Sequence, residues 1–299
     1  YTFFCFLTML LEFRVPLPYC VEDPTVGYLY MVMMANLEAT GGGEGVKWIT
    51  NEPYDNTDGH LDLGLKGYEI PKNCGQYTLK HYIVNSKFPS WFAKILPKEC
   101  MTLVEEAWCS SEYRFAVISN QYLDRNKFHI VLESKILNGD DGTSENVFGL
   151  SPADMKSRHV EFYDMCDVYK SEKIPASEDL TKLTLQEIPE MPLTSGWYKT
   201  WDRSKISCHY WLLHINFGYF GLQTIGENMV YNQQCYMNRV VERQMVATID
   251  KWKHLTMEDI RKLEEENRKE LEERIKSKEI AMAYRIFIEL KSRFTAGVK

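Results

Sequence analysis

Apolar and polar positions alternate in short runs through the first two-thirds of the chain and recur at helical spacing in the last third. In residues 10–18, Leu11, Phe13 and Val15 share one face of a strand, and Pro16 and Pro18 place that strand at an edge or end it. Residues 46–50, 75–84, 102–108, 113–119, 128–134 and 207–217 read as further strands, the third and fourth runs forming a pair that turns near Ser110-Ser111. From about Glu227 to Trp252 the period lengthens: Val230, Val240, Val241, Met245 and Ile249 recur near i, i+3, i+4. Thr256-Met257-Glu258-Asp259 resembles a capping box and opens a second long helix. Strands first and long helices last predict an α+β fold, an antiparallel sheet covered by helices.

The segments between are less regular. Val26–Asn36, rich in methionine, reads as a short helix or a buried segment. Gly41-Gly42-Gly43-Glu44-Gly45 precedes a strand instead of joining a strand to a helix, so it is a turn needing positive φ and not a phosphate loop. Residues 55–74, dense in Asp, Asn and Gly, predict a mobile loop, and residues 138–142 an exposed turn. A short proline-bounded helix is expected at Phe88–Pro97. Ser151 caps a helix with Pro152 in its first turn, expected to run to about Tyr169, followed by a proline-punctuated loop from Glu172 to Gly196.

The stretch Gly75-Gln76-Tyr77-Thr78-Leu79-Lys80 opens a strand in which Thr78, Lys80 and Tyr82 share a face. Alternation alone turns that face to solvent. The other arrangement turns it to an internal cavity, where a buried lysine needs an anionic partner.

Composition narrows the function. The 299 residues carry a formal net charge of −7 with 44% apolar residues, a sizeable core without a basic footprint for nucleic acid. The eight cysteines are scattered without C-x-x-C spacing, which predicts reduced thiols in a cytosolic protein and no metal site. The run Tyr1–Leu11 lacks a basic start and is interrupted by Glu12 and Arg14, so it predicts neither a signal peptide nor a membrane span. The seven histidines have no ligand spacing, and no G-x-S-x-G elbow occurs, so no catalytic residues are assigned.

Several strings then occur in one order: Glu12-Phe13-Arg14-Val15, Thr40-Gly41-Gly42-Gly43-Glu44-Gly45-Val46, Asn51-Glu52-Pro53-Tyr54, Gly75-Gln76-Tyr77-Thr78, Ala107-Trp108, Glu145-Asn146-Val147, Gly221-Leu222-Gln223, and Asp250-Lys251-Trp252 followed by Leu255–Arg261. In this the chain resembles the phosphatidylinositol transfer proteins, soluble single-domain class, over roughly residues 9 to 275. The resemblance implies a START-like helix-grip fold, with a curved antiparallel sheet around a cavity for one phospholipid, closed by long helices. It divides the chain into upstream residues 1–8, a lipid-binding domain at 9–275 and a C-terminal helical extension at 276–299.

It also implies a site. The family's inositol contacts fall on Thr78, Lys80 and Glu264, and a fourth, an Asn in the family, falls on Cys109. Spacing alone would instead pair Glu264 with Arg268 on a solvent face. The family's phosphate and choline region falls on Tyr28, Arg114, Ala116 and Ser134, where only Ser134 keeps a hydroxyl. The tandem tryptophan with which the family docks on membranes is replaced by Tyr219-Phe220. The implied function is a cytoplasmic, peripherally membrane-associated monomer that carries phosphatidylinositol, exchanges it for phosphatidylcholine or another phospholipid, and needs no cofactor, metal, nucleic acid or catalysis. The other readings are a module presenting lipid to a phosphoinositide kinase, and a carrier with a shifted preference such as phosphatidic acid.

Overall fold

A computed structural model describes residues 9–20, 24–41, 44–84, 98–169, 172–219 and 223–276. The alternating runs form β1 (Met9–Leu17), β2 (Gly45–Asp55), β3 (Cys74–Ile83), β4 (Thr102–Cys109), β5 (Arg114–Asn120), β6 (Phe128–Asn138), β7 (His159–Phe162) and β8 (Ser207–Phe217). They make one curved, open eight-stranded sheet in the order β2-β3-β4-β5-β6-β8-β1-β7. Every pairing is antiparallel except β1 with β7, so the sheet is mixed where a purely antiparallel one was expected. This is the α+β, START-like arrangement, with the helices α1 (Thr25–Ala39), α2 (Pro152–Ser157), α3 (Gln223–Ala247), α4 (Ile249–Trp252) and α5 (Met257–Lys276).

Three expectations need correction. The helix opened by Ser151, whose Oγ accepts from the Asp154 amide, ends at Ser157 and does not reach Tyr169. Arg158 leaves helical geometry, its guanidinium reaches Glu12 at 3.1 Å, and the chain from His159 adds to the sheet beside β1. β1 is therefore not an edge strand, and the other reading of its prolines holds, since the strand stops at Leu17 just before Pro18. Its partner β7 pairs only with Leu11–Arg14, so Pro16 lies beyond that ladder and withholds no needed donor. The turn at 138–142 is not exposed at its centre: Asp140 is buried, accepting from the Tyr210 hydroxyl at 2.7 Å and the Gly142 amide at 2.6 Å.

The helices follow their sequence signals. Val26–Asn36 lies within α1, and Thr256 caps α5, its Oγ accepting from the Asp259 amide while Asp259 accepts from the Thr256 amide. The helix expected from Glu227 to Trp252 is broken at Thr248, whose hydroxyl donates to the Gln244 carbonyl. Gly45 sits at φ 132° after the Gly41–Glu44 bridge, as a turn demanding glycine should. Phe88–Pro97, Ser171, Phe220, the upstream residues 1–8 and the tail from Ala281 lie outside the described residues.

Register sorts the sheet into two faces. Along one run the rows Gln76–Cys109–Arg114–Ser134–Trp211–Phe13, Thr78–Ala107–Ala116–Leu132–Leu213–Leu11 and Lys80–Glu105–Ile118–Ile130–Ile215–Met9. Each row passes from polar residues on β3 to apolar ones on β8 and β1. The helices cover this face: Cys235, Val230 and Tyr231 of α3 and Tyr28 of α1 pack on its apolar end, and Leu271 of α5 packs on Val46 and Trp48. On the other face, Trp108, Phe115, Val117 and Val131 are buried under Leu63, Leu65 and Ile70. The 55–74 loop expected to be mobile is thus a cover. Asn56 staples it, donating to the carbonyls of Ile70 and Pro71 and accepting from the Leu61 amide.

Candidate functional site

A cavity of about 300 Å³ lies between the polar end of the first face and helices α1 and α5. Strand alternation builds its floor, because residues two apart on β3 and β4 point the same way. Thr78, Lys80, Cys109, Arg114, Ala116 and Tyr28 all line it, and Glu264 enters from α5. Seven of the eight residues assigned to the headgroup and phosphate regions therefore share one space. The eighth, Ser134, is fully buried next to Arg114, whose Nη1 stands 3.5 Å from its Oγ. Solvent-face alternation is overturned: Thr78 and Lys80 are each 6% exposed.

Close approach of β3 and β4 at the mouth requires Gly75. A Cβ there would meet the Cys109 carbonyl oxygen at 2.0 Å.

Lys80 has its anionic partner within the protein. Its Nζ donates to Glu105 Oε1 at 2.9 Å, lies 4.8 Å from the Trp48 ring centre, and shares Glu105 with the Tyr82 hydroxyl at 3.1 Å. Sequence reasoning missed Glu105, though it was within reach: on β4 it shares a face with Ala107 and Cys109, opposite Lys80. Burial, reinforced by Glu105, pushes the Tyr82 phenol up, so it stays a donor.

Glu264 is 4% exposed, and the solvent-side pairing with Arg268 does not form, since Arg268 binds Glu265 and Glu272. Instead Glu264 Oε2 accepts from Arg261 at 2.6 Å and from Asn51 Nδ2 at 3.2 Å, and Asn51 accepts from Gln76 at 2.7 Å. Its Oε1 is buried without a hydrogen-bond partner, a strong acceptor left open beside the cavity. Asn51 and Gln76 were not among the candidates, although both lie in strings that carry the resemblance.

Cys109 is the weak point of the floor. Burial pushes its thiol up, against the pull of Arg114 and Lys80, so it remains a neutral, weak donor. Of the aromatic pair proposed for docking, Tyr219 is half-buried: its ring stacks edge-on with Phe217 and its hydroxyl accepts from the Asp124 amide.

An α+β sheet gripped by helices, with a cavity polar at one end and apolar along its wall, is the architecture of a lipid-binding protein. The family model for phosphatidylinositol transfer protein matches residues 8–269. The chain is 36% identical over 272 residues to the rat phosphatidylinositol transfer protein beta isoform, covering 89% of this chain and 94% of that one. It is 31% identical over 270 residues to phosphatidylinositol transfer protein 1 of Dictyostelium discoideum, covering 90% and 96%. Against human membrane-associated phosphatidylinositol transfer protein 2 the identity is 33% over 267 residues, 85% of this chain but 18% of that larger protein. The chain belongs to the phosphatidylinositol transfer protein family.

Proposed function

We propose that the chain carries one phospholipid at a time between membranes, with phosphatidylinositol as cargo, its inositol ring held by Thr78, Lys80 and Glu264. The observation that carries this reading is the convergence on one cavity of β3 and α5 side chains nearly two hundred positions apart. Ring hydroxyls can donate to the open Oε1 of Glu264 and accept from Lys80, and Thr78 can do either. Cys109 contributes little to such a ring.

Extraction is the costly step. At about 0.8 kcal/mol per methylene, moving two chains of about fifteen carbons into water costs roughly 20 kcal/mol. An apolar wall beside the headgroup removes most of that cost without ATP. The chains lie along the apolar rows that run from this cavity toward β8 and β1, beneath α1 and α3. Exchange then occurs at a membrane surface, where Tyr219 and Phe220 supply interfacial aromatics. The protein acts as a peripheral, cytoplasmic monomer, and the reaction changes no covalent bond.

Vesicle-to-vesicle transfer with the purified chain tests this. Phosphatidylinositol should move without any protein partner, and native mass spectrometry should find one lipid per chain. Tight lipid binding with no transfer would favour a lipid-presenting module, and a chemically altered lipid an enzyme.

A further inference from the structure

The cavity's cations are not equally provided for. Lys80 is paired with Glu105 at 2.9 Å and Arg261 with Glu264 at 2.6 Å. Arg114 is 4% exposed, and among the described residues no carboxylate lies within ion-pair distance of it. Its Nη2 donates to the Pro24 carbonyl at 3.0 Å, its Nη1 makes the long contact to Ser134, its plane lies 4.2 Å from the Tyr28 ring centre, and its Nε has no hydrogen-bond partner. The buried carboxylate of Glu242 does not reach it; its Oε1 is held by His209 Nδ1 at 2.7 Å and Trp211 Nε1 at 2.9 Å. A buried guanidinium with open donors beside a cavity is costly unless an anion completes it.

The surroundings favour an anion there. The Pro24 carbonyl that Arg114 holds belongs to the N-cap of α1, which has no side-chain cap and no acidic residue in its first turn. The positive end of a fifteen-residue helix and the guanidinium therefore face the same space. Placement suits one part of the cargo. Arg114 is two strands from Thr78, roughly 10 Å at the usual strand spacing, and one row further along the sheet. A headgroup ring resting on Thr78, Lys80 and Glu264 would put its phosphodiester between that ring and Arg114.

We propose that Arg114 is the specificity-determining residue of the cavity: it takes the cargo's phosphate and favours phospholipids whose phosphate carries no ammonium over zwitterionic ones. The proposal rests on the phospholipid-carrier reading but not on inositol recognition. In a zwitterionic headgroup the ammonium follows the phosphate by two carbons, so it would be held close to Arg114, the cation that, unlike Lys80 and Arg261, has no carboxylate partner among the described residues. In phosphatidylinositol or phosphatidylglycerol only hydroxyls follow.

The test loads the purified chain from vesicles with equal shares of phosphatidylcholine, phosphatidylglycerol and phosphatidylinositol, and reads bound lipid by native mass spectrometry. The wild-type chain should take phosphatidylglycerol over phosphatidylcholine, a preference needing no variant to measure. Arg114→Met should shift the anionic-to-zwitterionic ratio toward phosphatidylcholine on the order of tenfold, the scale of one charge-assisted hydrogen bond, and Arg114→Lys should keep most of the wild-type ratio. Equal uptake of phosphatidylglycerol and phosphatidylcholine by the wild-type chain overturns the proposal, as does an unchanged ratio in Arg114→Met or failure to bind any phospholipid. Phosphatidylinositol taken while phosphatidylglycerol is refused leaves inositol recognition standing and removes the role of Arg114. Phosphatidylglycerol and phosphatidylinositol taken alike does the reverse.

Discussion

The same strands β3 to β6 serve two faces that obey different rules. On one, Trp108, Phe115, Val117 and Val131 meet Leu63, Leu65 and Ile70 in an apolar layer. On the other, the intervening residues Cys109, Arg114 and Ala116 combine with Thr78 and Lys80 around a cavity, with Ser134 buried behind Arg114. The first face is filled by side chains and contributes stability through area removed from water. The second keeps space and open polar atoms, and its stability is traded for binding. A strand buried on both sides cannot be recognised by hydrophobic-in, polar-out alternation, because here the polar residues are also inside.

The largest test of this division is on the filled face. Trp108→Ala should lower unfolding stability by about 3–5 kcal/mol in denaturant titration, while the transfer rate per folded molecule stays near wild type. Selective loss of transfer at unchanged stability would dissolve the distinction. On the cavity face, Glu264→Gln should cut phosphatidylinositol transfer tenfold or more, on the order of one or two charge-assisted hydrogen bonds, and spare another phospholipid. Equal loss for all lipids would count against a headgroup role.

A smaller effect separates two buried imidazoles. Burial chiefly depresses His209, on the cavity face, against the opposing pull of Glu242. It likewise depresses His129, on the filled face, where the ring packs against Tyr68. Each is neutral when folded at a pH where the unfolded chain would protonate it, below about 6.5. The unfolded state then binds more protons, so stability falls as pH drops below that value, by up to about 1.4 kcal/mol per pH unit for each histidine. His129→Gln and His209→Gln should each flatten the stability–pH curve below 6.5; an unchanged slope refutes the assignment for that residue. The smallest effect is Thr78→Val, which keeps shape and removes one hydroxyl. Phosphatidylinositol loading should fall about fivefold, near 1 kcal/mol, with the unfolding midpoint unmoved.

Periodicity made β1 to β6, β8 and the long C-terminal helices legible, because each is long enough to repeat its pattern. It failed at β7, four residues too short to show a period, which join β1 just after Arg158 reaches Glu12. It failed again at residues 55–74, where Leu63, Leu65 and Ile70, with Leu61 and Tyr68 packed beside them, were enough to bind a polar-rich loop to the sheet. For the site, the residues alone pointed the wrong way for Thr78, Lys80 and Glu264, and the ordered family strings corrected all three. Neither source revealed Glu105 or the Gln76–Asn51–Glu264 chain, since a partner across strands or from a distant helix leaves no local spacing.

The helix that delivers Glu264 is also fastened to α1. On α5, Asn267 donates to the Met33 carbonyl at 3.1 Å and Arg274 to the Leu37 carbonyl at 2.8 Å, fastening it to the C-terminal half of α1. If Glu264 holds the headgroup, as proposed above, and lipid enters as α5 moves, contact and closure depend on one helix position, and linkage makes them reciprocal. Whatever free energy a headgroup gains from Glu264 only when α5 is seated must appear as resistance to opening. Lipids that miss Glu264 should leave at the first membrane encountered, and those that engage it should ride through many collisions. Selectivity would then be expressed as residence time, a clock set by α5.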